Sequence, residues 1–301
     1  MSGSGRRPKF RTSEWVLICF FGYIAVVSPL FRDRPVLKYQ PVFILAAVVA
    51  LVSLMARAEQ SRFAKTISIV RDWLPLVVTL GAFREMELFL PVRFEHRFEA
   101  AWIQWDHLLL GEWHVRSMIE NLGSLIPFWL ELCYLLVYGI GFFCVTLLYL
   151  QHRRVQVDRF LTVYLIGTLL AYALFPYFPS EPPRIVFPTV DQPLITTWVR
   201  TLNLWILRVG TIHIGVFPSA HVSSAFSAVW GMFLVLPEQK IFGYGLLFYA
   251  LSVSLATVYG RYHYAADVVA GFVVSLIPGL VCLILRKRVT LFQKTPEFRN
   301  F

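Results

Sequence analysis

IFGYGLLFYALSVSLATVYGRYHYAADVVAGFVVSLIPGLVCLIL runs from residue 241 to 285 and holds two formal charges, Arg261 and Asp267. On either side of that polar break lies a charge-free run, 241–260 and 268–285. A helix needs about 20 mostly apolar residues to cross a bilayer. The stretch therefore reads as two membrane spans joined by a short polar turn. The same test, applied outward, selects residues 15–31, 39–56, 132–150 and 160–180. Residues 209–237 are also free of formal charge, with the spanning part expected between Pro218 and Pro237. An eighth segment, 73–90 (WLPLVVTLGAFREMELFL), contains Arg84, Glu85 and Glu87. Each charge at the centre of a lone helix costs about 2.5–3.5 kcal/mol. These three sit towards one end, where Arg84 can pair with Glu87, so the segment reads as a span; a re-entrant or interfacial helix is the alternative. The expected fold is an all-α polytopic membrane bundle of about eight transmembrane helices.

Composition excludes the other classes. Of the 301 residues, 57% are hydrophobic and 15% charged, against about 25% charged in an average soluble domain. One soluble core of this length could not hide so much apolar surface. The formal charge of +10 taken alone suits nucleic acid, but its distribution suits a membrane. With the N-terminus in the cytoplasm and eight spans, 17 of the 28 Lys and Arg residues fall on short inner segments and 10 on longer outer ones. That asymmetry follows the positive-inside rule and leaves no nucleic-acid footprint to explain. The basic start (Arg6, Arg7, Lys9, Arg11) precedes a run without an A-x-A-like cleavage site, so it reads as a retained span.

Cys19, Cys133, Cys144 and Cys282 lie in apolar runs without close pairing and read as small buried hydrophobes rather than a disulfide or zinc framework. The outer stretch WIQWDHLLLGEWHVRSMIENL after residue 91 reads as a helix lying in the interface, anchored by Trp102, Trp105 and Trp113. No repeat or linker divides the chain. Residues 1–124 are taken as the N-terminal spans with that outer helix, 125–286 as the chemistry-bearing core and 287–301 as a cytoplasmic tail.

Three polar clusters occupy span ends on the outer side. Phe217-Pro218-Ser219-Ala220-His221 opens one span. Pro and Ser before an apolar run start a helix, and a helix N-terminus offers free N–H groups and partial positive charge to an anion. A plain cap with His221 facing headgroups is the blander reading. Tyr259-Gly260-Arg261-Tyr262-His263-Tyr264-Ala265-Ala266-Asp267 opens another. At a spacing of four, His263 and Asp267 share a helix face, so the carboxylate can fix the tautomer of a nucleophilic or basic imidazole; a structural His–Asp clamp is the alternative. Phe178-Pro179-Ser180-Glu181-Pro182-Pro183-Arg184 closes the span at 160–180. Its prolines hold Arg184 at the outer surface, for phosphate or for headgroups. Topology puts all three on one side. Two histidines, one Asp and cations suit phosphoryl transfer without a metal or cofactor, and no competing metal or nucleotide motif is present.

P-S-A-H followed about 40 residues later by R-Y-H-Y-A-A-D-V-V-A-G resembles the type 2 phosphatidic acid phosphatase superfamily, over roughly residues 125–286. The resemblance implies that His263 is a nucleophile forming a phosphohistidine, Asp267 orients it, and His221 is the general acid. Ser219 with its neighbouring amides would hold phosphate oxygens. Departures are clear: Ala220 replaces the Gly of P-S-G-H, Thr257 stands at the Arg of S-R-x5-H, and no K-x6-R-P occurs. With Arg184 ending P-P-R and Arg261 two residues before His263, the pattern is similar to the branch holding fungal inositol phosphorylceramide synthases and many bacterial relatives. Segment 72–87 resembles that branch too. Arg184 and Arg261 are accordingly assigned to phosphate.

The implied activity is that of a phosphotransferase or phosphatase on a lipid phosphate or phospholipid, passing the phosphoryl group to an alcohol acceptor or to water, most like inositolphosphotransferases; the motif departures leave transfer and hydrolysis both open. The rivals are a lipid phosphate or polyprenyl pyrophosphate phosphatase and, outside enzymes, a transporter or lipid-binding pseudoenzyme. The implied setting is a bacterial inner membrane, with both termini cytoplasmic and the site periplasmic. Arg84 and Glu87 are candidates for an acceptor headgroup, because intramembrane charge is functional by default; pairing between helices is the equal alternative for them, Glu85 and Glu131. His213 is expected to shape the P-S-A-H loop or sit in the interface.

Overall fold

The computed structural model describes residues 9–31, 35–91, 93–210, 212 and 215–294, with side chains to residue 283. The expected role of His213 and residues 295–301 of the expected tail lie outside the described residues. Thirteen α-helices follow in chain order: α1 (Thr12–Val27), α2 (Gln40–Ala58), α3 (Ala64–Glu85), α4 (Arg97–His107), α5 (Val115–Asn121), α6 (Leu125–Leu136), α7 (Ile140–Leu150), α8 (Val157–Leu174), α9 (Pro183–Val186), α10 (Trp198–Gly210), α11 (Ala220–Val235), α12 (Lys240–Tyr259) and α13 (Ala265–Lys294). Among the described residues there is no strand.

Seven helical stretches are long and apolar enough to cross a membrane: Thr12–Leu30, Gln40–Ala58, Ala64–Phe89, Leu125–Leu150, Arg154–Tyr177, Lys240–Tyr259 and Ala265–Leu283. The chain is a multi-pass membrane protein. The charged segment 73–90 belongs to the third of these, which starts nine residues earlier than expected and gains length from Ala64–Asp72. The eighth expected span, α11, has 16 residues, about 24 Å of helix against a hydrocarbon core of about 30 Å.

Short as it is, α11 is the hub, packed against α8, α12 and α13. Its sequence explains this. Ser223, Ser224, Ala225, Ser227, Ala228 and Gly231 are small enough for neighbouring backbones to approach closely. Opposite them on α8, a Cβ on Gly167 would fall 1.9 Å from Ser227 Oγ. Ser223 Oγ donates to the Gly167 carbonyl at 2.8 Å. On α13, a Cβ on Gly271 would meet the Ser219 carbonyl oxygen at 2.4 Å. Glycine at 271 thus lets α13 cross directly over the start of α11. Three of the four cysteines are buried as expected; Cys19 is exposed, and all four are free thiols.

The connections expected on the outer side are more ordered than their sequence suggests. The expected interfacial helix is α4, followed by a π-turn at Leu108–Glu112 and then α5. The loop after Arg184 contains α10, whose buried face is Val199, Arg200, Asn203 and Leu207.

Candidate active site

The turn between α12 and α13 carries His263, and the N-terminus of α11 carries His221. The two rings meet: His221 Nδ1 lies 3.1 Å from His263 Nε2. His263 Nδ1 is 2.9 Å from the Val216 carbonyl oxygen and 3.3 Å from Asp267 Oδ2. A carbonyl oxygen only accepts, so Nδ1 carries the proton and donates it there. The Nε2 lone pair therefore points at His221, which donates to it from its own Nδ1–H. Asp267 is fully buried; its Oδ2 also accepts the Tyr264 N–H at 2.8 Å, and its backbone carbonyl accepts the Ser219 N–H at 2.9 Å. One carboxylate residue thus ties together both loops that carry the histidines. Burial holds the His263 pKa well below the ordinary imidazole value, and the neighbouring His221 and Arg184 push it the same way. His263 is neutral at physiological pH.

A cavity of about 310 Å³ adjoins these rings. Arg184, His221, His263 and Tyr262 line it together with Leu76, Leu80, Phe83 and Arg84 of α3 and Tyr164, Thr168 and Tyr172 of α8. Arg84 to Leu76 and Tyr172 to Tyr164 are each eight residues apart, about 12 Å of helix rise. The lining thus joins the paired histidines and Arg184 to a mostly apolar wall. Arg184, half-buried on α9, lies 5.7 Å from the Tyr262 ring centroid, and no carboxylate pairs with its guanidinium among the described residues. Its backbone N–H donates to the Arg261 carbonyl at 3.2 Å.

The expected site residues are not all on that cavity. Arg261 is fully buried and bonded to Asp106 at 2.6 Å; it does not line the cavity. Its backbone φ of +63° is in the left-handed region. Asp106 takes one nitrogen of its guanidinium, while Nε and Nη2 have no hydrogen-bond partner among the described residues. Ser219 is fully buried, and its hydroxyl caps α11 by accepting the Val222 N–H at 3.4 Å; it too is off the cavity wall. Arg84 lines the cavity and donates to the Gly210 carbonyl at 3.1 Å, whereas Glu87 does not line it. Glu131 pairs between helices: it accepts from Arg200 at 2.7 Å, Asn203 at 2.8 Å and Tyr262 at 2.6 Å.

That last network reaches His221. Glu131 fixes Tyr262, whose ring stacks on Tyr134 with centroids 3.8 Å apart. Tyr134 stacks on His221 at 5.0 Å, and Tyr138 meets it edge-on at 5.2 Å. These tyrosines were not singled out from sequence. Their one legible signal is the spacing of 134 and 138, which puts two hydroxyl-bearing rings on one face of a span.

A family model of the PAP2 superfamily matches residues 101–281. The chain belongs to the PAP2 superfamily. Neither the search of curated proteins nor the search of solved structures gives a match. The match begins inside α4, so the family region takes in the interfacial helix as well as the bundle core that the motifs marked. Membership makes this a phosphatase- or phosphotransferase-type protein.

Proposed function

We propose that the protein transfers a phosphoryl-containing headgroup from a membrane lipid through a phosphohistidine at His263 Nε2. The observation that carries this is the tautomer: with Nδ1–H committed to Val216 and Asp267, the nucleophilic lone pair faces His221 and the cavity that Arg184 lines. In the first step the Nε2 lone pair attacks phosphorus, the bond from phosphorus to the leaving oxygen breaks, and His221, carried as imidazolium once the anionic substrate is bound, delivers its extra proton to that oxygen and is left neutral. Arg184 and the N-terminal amides of α11 next to Ser219 balance the charge on the equatorial oxygens. In the second step an acceptor hydroxyl or water attacks phosphorus, His221 takes its proton, and the N–P bond breaks. Asp267 holds the ring in register throughout. No step requires a metal ion.

The apolar wall of the cavity supports a lipid substrate, since a soluble phosphate has no use for it. Positive-inside charge supports an outward-facing site. The similarity to the inositolphosphotransferase branch, with Arg84 on the same cavity wall to meet an acceptor headgroup, favours transfer over hydrolysis. Phosphate release from a labelled lipid, with and without inositol-, ceramide- and glycerol-type acceptors, separates the two.

His263→Ala should lower turnover by more than about a thousandfold, vanadate should inhibit the wild type, and chelators should leave it unchanged. Full turnover by His263→Ala overturns the proposal, and a strict Mg²⁺ requirement overturns the metal-free route. Leu76→Trp, on the apolar wall of the cavity, should raise KM for long-chain lipids about tenfold and spare a short-chain analogue. Equal effects on both would remove the chain from the cavity.

A further inference from the structure

Helix α4 sets one face against the loops of all three polar clusters. Its buried residues are Glu99, Trp102, Ile103 and Asp106, the i, i+3, i+4, i+7 pattern of a single stripe. Glu99 Oε1 accepts the Glu181 N–H at 3.2 Å, three residues before Arg184. Trp102 stacks on Phe217 with ring centroids 4.9 Å apart and an interplanar angle of 15°; the next residue but one is Ser219. Trp102 also lies 5.6 Å from the Tyr264 ring, and Ile103 shares an apolar cluster with Val216, Tyr264 and Ala266. The same Val216 supplies the carbonyl that receives the His263 Nδ1 proton.

Asp106 makes the tightest of these contacts. It is fully buried, Oδ2 accepts from Arg261 at 2.6 Å, and Oδ1 accepts the Ala265 N–H at 2.8 Å. Those two anchors sit two residues before and two residues after His263. One carboxylate therefore pins both ends of the turn that carries the nucleophilic ring. The turn needs pinning, because Arg261 takes a left-handed backbone that is costly for a residue with a Cβ. The Arg261 carbonyl in turn accepts the Arg184 N–H, so the pin also sets the cavity cation.

We infer that Asp106 is a positioning residue for His263 and Arg184, and that α4 is the strap that registers the three loops for reaction. The inference rests on the phosphohistidine reading of the site. It differs from that reading in placing control of the geometry on a helix that is not one of the membrane spans.

The test uses the purified full-length protein in detergent. Asp106→Asn keeps the Oδ1 acceptor for Ala265 and removes the charge that pairs with Arg261. Because a misplacement of about 1 Å costs up to about a hundredfold in rate, kcat should fall about 10- to 100-fold. KM should stay within about twofold, since ground-state binding is little changed. Vanadate mimics five-coordinate phosphorus, so its inhibition constant should rise by the same factor as kcat falls. A purely structural Asp106 would reduce only the active fraction, lowering maximal velocity and leaving the vanadate constant at its wild-type value. That outcome overturns the inference. Where Asp106→Asn yields no folded protein, Arg261→Lys keeps the charge, loses the planar fork and should show the same paired change in kcat and vanadate constant, smaller in size. Turnover by His263→Ala in the same assay would instead overturn the function reading, so the two failures are told apart.

Discussion

Two clusters of buried charge among the described residues are built differently. Near the N-terminus, Arg71 is 2% exposed and reaches Glu14 twice, at 2.7 and 2.5 Å, and Glu59 besides. Arg11 meets Asp72 at 2.5 Å, and Arg154 meets the same carboxylate at 2.7 Å. Three cations face three carboxylates, and the cluster ties α1, α3 and the start of α8 together. Near the cavity, Arg200 is paired with Glu131 and Arg261 with Asp106, but Arg184 points a guanidinium without a carboxylate at the cavity itself. A closed cluster holds helices. An uncompensated cation beside the paired histidines is placed to meet an anion. Substitution should separate the two roles most sharply. Arg184→Gln should lower kcat about 10²- to 10³-fold, as loss of one electrostatic donor does, with an unchanged melting temperature. Arg71→Gln strands a buried Glu14 and should cost about 3–5 kcal/mol of stability, with turnover per folded molecule intact. Scanning calorimetry beside a turnover assay reads both, and a swap of the two outcomes breaks the comparison.

The pH dependence sharpens the same contrast at smaller amplitude. In the proposed reaction His263 acts through its neutral form, and burial first, then His221 and Arg184, holds its pKa well below 6.5. Protonation removes the Nε2 lone pair, so activity is lost as pH falls through this lowered pKa. The acid limb of kcat/KM should accordingly lie below about pH 6.5. Arg184→Gln takes away one of the causes and should move the limb upward, while burial keeps it under the ordinary value. Residual kcat/KM measured from about pH 4 to 8 checks the sign; a downward shift would detach Arg184 from His263.

How much of this was legible follows from what hydropathy and spacing can encode. Long apolar runs locate helices without knowing their partners, so the bundle was readable from residues 15–31 through 268–285. The pairing of His263 with Asp267 was readable from their spacing of four, although His263 sits in the turn two residues before α13 begins and the Asp267 carboxyl reaches back to it. Contacts across the fold were not. Asp106 and Arg261 are 155 residues apart, and a left-handed turn that hands its side chain to another helix leaves no mark in spacing. The Ser219 hydroxyl caps α11, and a cap and an anion site ask for the same Ser before an apolar run. Glu131 could be weighed only as an isolated membrane charge, because its partners Arg200 and Asn203 sit in α10, a helix hidden in what read as an outer loop.

The smallest effect belongs to a third kind of ion pair. Arg153 and Glu238 meet between the α7–α8 and α11–α12 connections, each side chain 45% exposed. Both ends remain in contact with water, so ordering two long side chains offsets most of the Coulomb gain, and salt screens what is left. Arg153→Ala should change stability by less than about 1 kcal/mol and should leave kcat and the vanadate constant untouched. Urea titration of the variant at low and high salt reads the difference. A loss of several kcal/mol would mean that this loop pair, like the Arg71 cluster, is a closed tie between helices. The division between holding charge and binding charge would then rest on position in the fold and not on burial.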